Sequence, residues 1–190
     1  MKLTPAEIER MTREQGEGWA YPHVQRVLVL GEQIAGNLAY QRDWFWYAAF
    51  LHDWGAFPCY RQSGIEHALR SREIAECEIL PYTSLPPAAI GPVLEAIERH
   101  DYRDQRSTTC PEALLLREAD FLDFLGPLGI AREFAWGPNN LAKVITRINA
   151  RMTAIRGRFT LPAAQAMAEI RFRDMEALLA QLDQESFGFL

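Results

Sequence analysis

Nowhere does this 190-residue chain alternate apolar and polar side chains at the two-residue period of a half-buried strand. Its apolar residues recur at helical spacing, and Gly and Pro punctuate the runs. Thr4-Pro5-Ala6-Glu7 has the form of a capping box with proline in the first turn, which predicts a helix to about Glu14. A second helix starts near Pro22 and carries Val24, Val27, Leu28, Ile34 and Leu38. Asp43 caps a third, Trp44 to about Asp53, apolar nearly all round and therefore central. Gly64 opens a fourth, about Ile65 to Leu80, ended by Pro81. A fifth follows Ser84, Pro86 and Pro87 and runs to about His100, and a sixth covers Pro111 to about Phe124. Gly126, Pro127 and Gly129 read as a break before a short segment around Phe134. Helices over about Asn140 to Arg156 and Thr160 to Leu182 finish the chain. The expected fold is an all-α, single-domain helical bundle spanning 1–190.

Hydrophobic residues make up 48% and charged residues 24%, enough apolar surface to bury a core without disulfides or structural metal. The net charge of -5 gives no reason to expect duplex nucleic acid or an anionic membrane as partner. Lys2 and Lys143 are the only lysines, so positive charge is carried by arginine, whose fork suits phosphate and carboxylate. Cys59, Cys77 and Cys110 are far apart and form no CxxC, which argues against a thiolate zinc site and for reduced thiols. The first residues, MKLTPAEIER, contain no apolar leader core, and no apolar run reaches membrane-spanning length. A cytoplasmic, soluble protein is expected.

There are four histidines, and their placement matters more than their number. His23 lies in the first turn of a helix. His52 is followed by Asp53 at the end of the most apolar helix. His67 begins the fourth helix, and His100, followed by Asp101, ends the fifth. Asp120 sits within the apolar sixth helix. A carboxylate buried there is costly unless paired or bound to a metal. Neutral imidazoles with carboxylates are the ligand set of iron, manganese, zinc or nickel. Taken alone, His67 or His100 reads as a hydrogen-bonded core residue; the set His23, His52-Asp53 and Asp120 reads as a metal site.

At these residues the chain resembles the HD domain superfamily of metal-dependent phosphohydrolases. The pattern is a His, a His-Asp doublet and a distant Asp: here His23, then His52-Asp53 within Leu51-His52-Asp53-Trp54-Gly55, then Asp120. His23-Val24-Gln25-Arg26-Val27, Ala48-Ala49-Phe50-Leu51 and His67-Ala68-Leu69-Arg70-Ser71 resemble the family's surrounding helices. The similarity covers about 19–123, with the C-terminal helices 127–190 less diagnostic. The resemblance implies an all-α bundle and four ligands, His23, His52, Asp53 and Asp120. Dinuclear relatives add two histidines, which His67 and His100 match in order, so a second ion bridged by Asp53 is implied. Many such relatives place a phosphate-binding Lys shortly after the doublet in HDxGK; here Ala56 stands there. The HD-GYP signature is also absent, so cyclic di-GMP hydrolysis is not supported.

The implied activity is hydrolysis of a nucleotide or small phosphate ester by water activated on one or two divalent ions. Asp53 would take part in that chemistry, and Asp101 is a candidate general base or a residue that orients His100. Arg26, Arg70 and Arg103 stand near the histidines in sequence, and Tyr60 and Arg61 follow the doublet in a loop; these are the candidate substrate contacts. The same ligands fit a diiron oxygenase of this fold, and the missing Lys leaves room for a non-catalytic metal- or nucleotide-binding domain. A homo-oligomer is compatible with the aromatic end Phe187-Gly188-Phe189-Leu190.

Overall fold

The computed structural model describes residues 2–137 and 139–189; among them there are nine α-helices and no strand. The chain divides into two compact units, Met1–Ala119 and Asp120–Leu190. The sequence reading drew one domain with a motif-bearing core and C-terminal helices.

The N-terminal unit contains α1 (Pro5–Gln15), α2 (Ala20–Ile34), α3 (Arg42–Leu51), α4 (His67–Ile74), α5 (Pro87–Arg99) and most of α6 (Pro111–Asp123). Helix α1 starts at the capping box: Glu7 N–H donates to the Thr4 hydroxyl, and the Glu7 carboxylate accepts from Thr4 N–H at 2.7 Å. Helix α3 is the centre of the unit. Phe45, Tyr47, Ala48, Ala49, Phe50 and Leu51 are all buried, and each large one contributes about 1.5–3 kcal/mol by leaving water. A Cβ on Gly31 would lie 2.3 Å from the Phe45 ring, so glycine is what lets α2 approach α3. After α3 a 3₁₀ turn, Trp54–Ala56, carries the fully buried Trp54, whose indole N–H donates to the Thr12 hydroxyl at 3.2 Å. The turn that follows the HD doublet is thereby tied to α1.

Helices α3 and α5 run in the same direction. Trp44 and Pro86, at their starts, wall one surface cleft, while the His52 and His100 rings at their ends lie 4.7 Å apart. Two histidines distant in sequence are therefore delivered to one place by two packed helices.

The C-terminal unit packs α7 (Gly126–Trp136), α8 (Leu141–Ile155) and α9 (Pro162–Glu185). Arg151 and Arg147 close on the buried Glu133, the latter at 3.1 Å. Arg132 pairs with Asp123, and Arg171 donates to the Leu122 carbonyl at 2.6 Å, so the end of α6 is fixed within this unit. Phe187 and Phe189 are exposed at 85% and 93%; Leu190, named with them above, lies outside the described residues. No helix among the described residues is long and apolar enough to cross a membrane.

Several boundaries differ from the sequence expectation. Asp43 lies inside the first turn of α3, and Gln41 holds the cap position; an acidic side chain is favourable there because it faces the positive end of the helix dipole. Pro22 sits inside the first turn of α2, where its missing N–H costs nothing. The fourth helix begins two residues late, because Glu66 is extended, and α4 gives way at Ala75–Ile79 to a π turn. Pro127 starts a helix instead of breaking one: Gly126 turns the chain at φ 81° and proline occupies the first turn of α7.

Candidate metal centre

His52 and His100 close α3 and α5 in the same way. Each is the last helical-geometry residue, and each Nδ1 faces the carbonyl three residues back, Ala49 at 2.7 Å and Ile97 at 2.6 Å. Those carbonyls lie in the last turn, where the helix supplies no N–H. A carbonyl only accepts, so Nδ1 must carry the proton, and the Nε2 of each neutral ring is a bare lone pair. A helix-capping contact thus fixes the tautomer in which Nε2 is free to accept a proton or a cation.

Both lone pairs point at other ring nitrogens. His52 Nε2 is 3.1 Å from His23 Nε2, and His100 Nε2 is 3.0 Å from His67 Nε2. Asp53 stands between the pairs. Its Oδ2 lies 3.5 Å from His23 Nε2 and 3.3 Å from His52 Nε2; its Oδ1 lies 3.4 Å from His67 Nε2 and 3.5 Å from His100 Nε2. His52, Asp53 and His100 offer ligand atoms within 4.8 Å of one another. Nitrogens this close, with a carboxylate oxygen against each pair, need a proton or a cation between them. The donor set fits divalent transition metals.

Burial is deep: His23, His52 and His100 are no more than 1% exposed. Burial pushes the Asp53 carboxyl up, but when the rings around it are protonated the charge of His52 and hydrogen bonds from His100, His52 and His67 hold it well below the usual range. His67 is more open. Burial lowers its pKa, and hydrogen bonding and charge from Asp53, with charge from Asp101, raise it above the ordinary value.

Asp101 faces His67, with Oδ2 3.5 Å from Nδ1. Both its oxygens are held by Arg103: Oδ1 accepts from the backbone N–H at 2.7 Å and from Nε at 2.9 Å, and Oδ2 accepts from Nη2 at 2.5 Å. Burial raises the Asp101 pKa, but these bonds win and lower it. A carboxylate so committed suits orienting a ring better than accepting a proton. Asp104 and Arg106 repeat the arrangement three residues on, and Arg106 reaches Glu98 on α5 at 2.8 Å. The loop after His100 is therefore pinned by two Asp-x-Arg turns.

A pH dependence follows from the second turn. Burial raises the Asp104 pKa, yet its bonds to Arg106 hold it below the ordinary 3.8. A carboxyl lowered on folding stabilises the native state above its unfolded value and loses that contribution as pH falls through the folded value. Asp104→Asn is expected to melt below the parent at neutral pH, by under ~1 kcal/mol for a pair whose arginine is half exposed. The two melting curves should converge below the carboxylate range, as read by thermal melts across pH.

Arg103 sits against the cluster, with Nη2 3.3 Å from His67 Nδ1. Arg26 is half-buried on α2 one turn beyond His23, and Arg61 is exposed. Tyr60 stacks on Trp54, centroids 5.6 Å apart. Arg70 spends its fork on the Tyr60 carbonyl at 2.9 Å and on Glu73 at 2.6 Å, which makes it a brace for the loop. Asp120 is buried on α6 and is the first residue of the C-terminal unit. Sequence reasoning passed over Gly55 and Ser71. Gly55 N–H donates to the buried Ser71 hydroxyl at 2.8 Å, and a Cβ on Gly55 would lie 2.2 Å from the His67 carbonyl. The Gly after His-Asp-Trp was the available signal.

The HD domain family model matches residues 20–125, a span that contains every histidine and aspartate of this cluster. The chain belongs to the HD domain family. Its HD fold is shared by a protein described as a predicted HD superfamily hydrolase from an uncultured Thermotogales bacterium, at 25% identity and a TM-score of 0.66, covering 95% of this chain and 91% of that one. Bacillus subtilis YpgQ, solved in complex with ADP, is similar at 19% identity and a TM-score of 0.66, covering 96% and 97%. An HD-superfamily hydrolase from Bacillus thuringiensis matches at 21% identity and a TM-score of 0.62, covering 95% and 93%. No curated protein matches the chain. HD domains bind divalent metals, and the His/Asp clusters of this HD chain are able to hold them.

Proposed function

We propose that this HD domain is a metal-dependent phosphohydrolase acting on a nucleotide or small phosphate ester. The observation that carries this reading is Asp53, with one oxygen facing the Nε2 pair of His23 and His52 and the other facing that of His67 and His100. His23, His52 and Asp53 Oδ2 would hold one ion, to which the family pattern adds Asp120; His67, His100 and Asp53 Oδ1 would hold a second. Bound there, divalent ions would supply a water acidic enough to attack at neutral pH and positive charge for the phosphoryl oxygens. The chain's own residues do the rest. The Ala49 and Ile97 carbonyls keep the Nε2 lone pairs of His52 and His100 turned inward. Arg103, half-exposed beside His67, would serve phosphate by exchanging its exposed Glu66 partner for it, a role that Ala56 cannot take over from the family's Lys. The nucleotide reading is supported by the ADP bound to the similarly folded YpgQ.

The test is metal content per chain, followed by a panel of nucleotides and phosphate esters with phosphate release as readout. Two ions per chain, turnover with Mn²⁺ or with redox-inert Zn²⁺, and its loss in His52→Ala are expected. Two irons with O₂ consumption and no phosphate release would move the chain to the oxygenase reading, and ligand binding without turnover to the non-catalytic one.

A further inference from the structure

His67 differs from His52 and His100, whose Nδ1 atoms face the Ala49 and Ile97 carbonyls. Among the described residues its Nδ1 is faced by two side chains with opposite demands and by no backbone carbonyl. Arg103 Nη2, at 3.3 Å, can only donate. Asp101 Oδ2, at 3.5 Å, can only accept. If Arg103 donates, the His67 proton sits on Nε2 and points along the 3.0 Å line to the lone pair of His100 Nε2. The result is one ordered chain: Arg103 to His67, His67 to His100, His100 to the Ile97 carbonyl. In that chain no lone pair of His67 is left for an ion. If Asp101 accepts instead, His67 Nε2 becomes a lone pair beside that of His100 and Asp53 Oδ1, and the second ion has its ligands.

We propose that Arg103 gates the second metal position by competing, through the His67 tautomer, with the ion itself. The proposal rests on the metallohydrolase reading and deepens it. The fork stays on Asp101 through Nε and Nη2. Its other nitrogen meets Glu66 at 3.1 Å in a pair more than half exposed on both sides, which holds weakly. The contact in competition is the longer one from Nη2 to His67. The Asx turn survives loss of the fork, because the Arg103 backbone N–H still donates to Asp101. His23 and His52 lie on the other oxygen of Asp53, so the first ion is outside the gate. Arg103 is thus a positioning residue for the second ion, and Asp101 is its opponent.

Mn²⁺ titration of the metal-stripped full chain and of Arg103→Met and Asp101→Asn tests this. The wild type should bind one ion tightly and the second more weakly. Arg103→Met should bind the second more tightly by about 10–100-fold, the scale of changes around a metal ligand, and Asp101→Asn more weakly, with the first unchanged in both. Long-range ¹H–¹⁵N spectra of the metal-free protein with neutral rings give an independent readout: the His67 proton on Nε2 in the wild type and on Nδ1 in Arg103→Met. Two ions bound with no difference between wild type and Arg103→Met, or a wild-type His67 proton already on Nδ1, overturns the gate and leaves the metallohydrolase reading intact. A wild type that binds no ion overturns both.

Discussion

Asp53→Ala is expected to abolish both ions and turnover together. One carboxylate serves both histidine pairs, with each oxygen 3.3–3.5 Å from two Nε2 atoms. Its removal takes a ligand and a negative charge from both positions at once. Lewis-acid stabilisation by an ion is worth several kcal/mol, and each 1.36 kcal/mol is tenfold, so phosphate release should fall by at least about 10³-fold. The metal-free variant is expected to fold, since the lost carboxylate reopens hydrogen-bonding choices among the four rings without emptying a hydrophobic site. Circular dichroism checks the fold, and metal analysis beside the phosphate assay checks the effect. A variant that retains two ions would show that Asp53 does not bridge them.

Gly55→Ala should separate the second position from the first. The added Cβ would lie 2.2 Å from the His67 carbonyl, 2.7 Å from Ser71 N and 2.8 Å from Arg70 Cβ. Two of those atoms are backbone of α4, so the helix itself must move. Overpacking of this kind costs about 1–3 kcal/mol, roughly 2–4 °C for each in a chain of this size. Because His67 is the first residue of α4, the displacement carries it away from Asp53. The variant should melt lower, keep the ion held by His23 and His52, and lose the one that needs His67. Equal loss of both ions would place Gly55 in support of the doublet itself.

Much of this molecule was legible in its sequence, for identifiable reasons. Helical period and Gly/Pro punctuation gave the all-α class, because apolar spacing reports which face each helix must bury. The Thr4–Glu7 capping box was readable because a cap is a contact between residues three apart. Pro127 misled because proline breaks a helix in its interior and starts one in its first turn, and only the glycine turn before it decides which. The third helix, apolar nearly all round, was read as central, and its Phe45, Tyr47 and Phe50 are buried. Arg70, read as a candidate substrate contact, braces the loop through Tyr60 and Glu73. No local pattern marks that difference, since those partners are chosen by where the loop returns.

The sequence by itself determined the residue types of the centre, their order, and the helix that each would end, begin or occupy, because helix boundaries are written in local chemistry. Only tertiary structure decided that α3 and α5 run side by side in one direction, so that two capping histidines bring their rings together at 4.7 Å. It also decided that Asp53 lies between the two nitrogen pairs, and that His67 meets a donor and an acceptor at the same nitrogen. Those are contacts across tens of residues, fixed by the packing of apolar faces and by the space that Gly31 and Gly55 leave open.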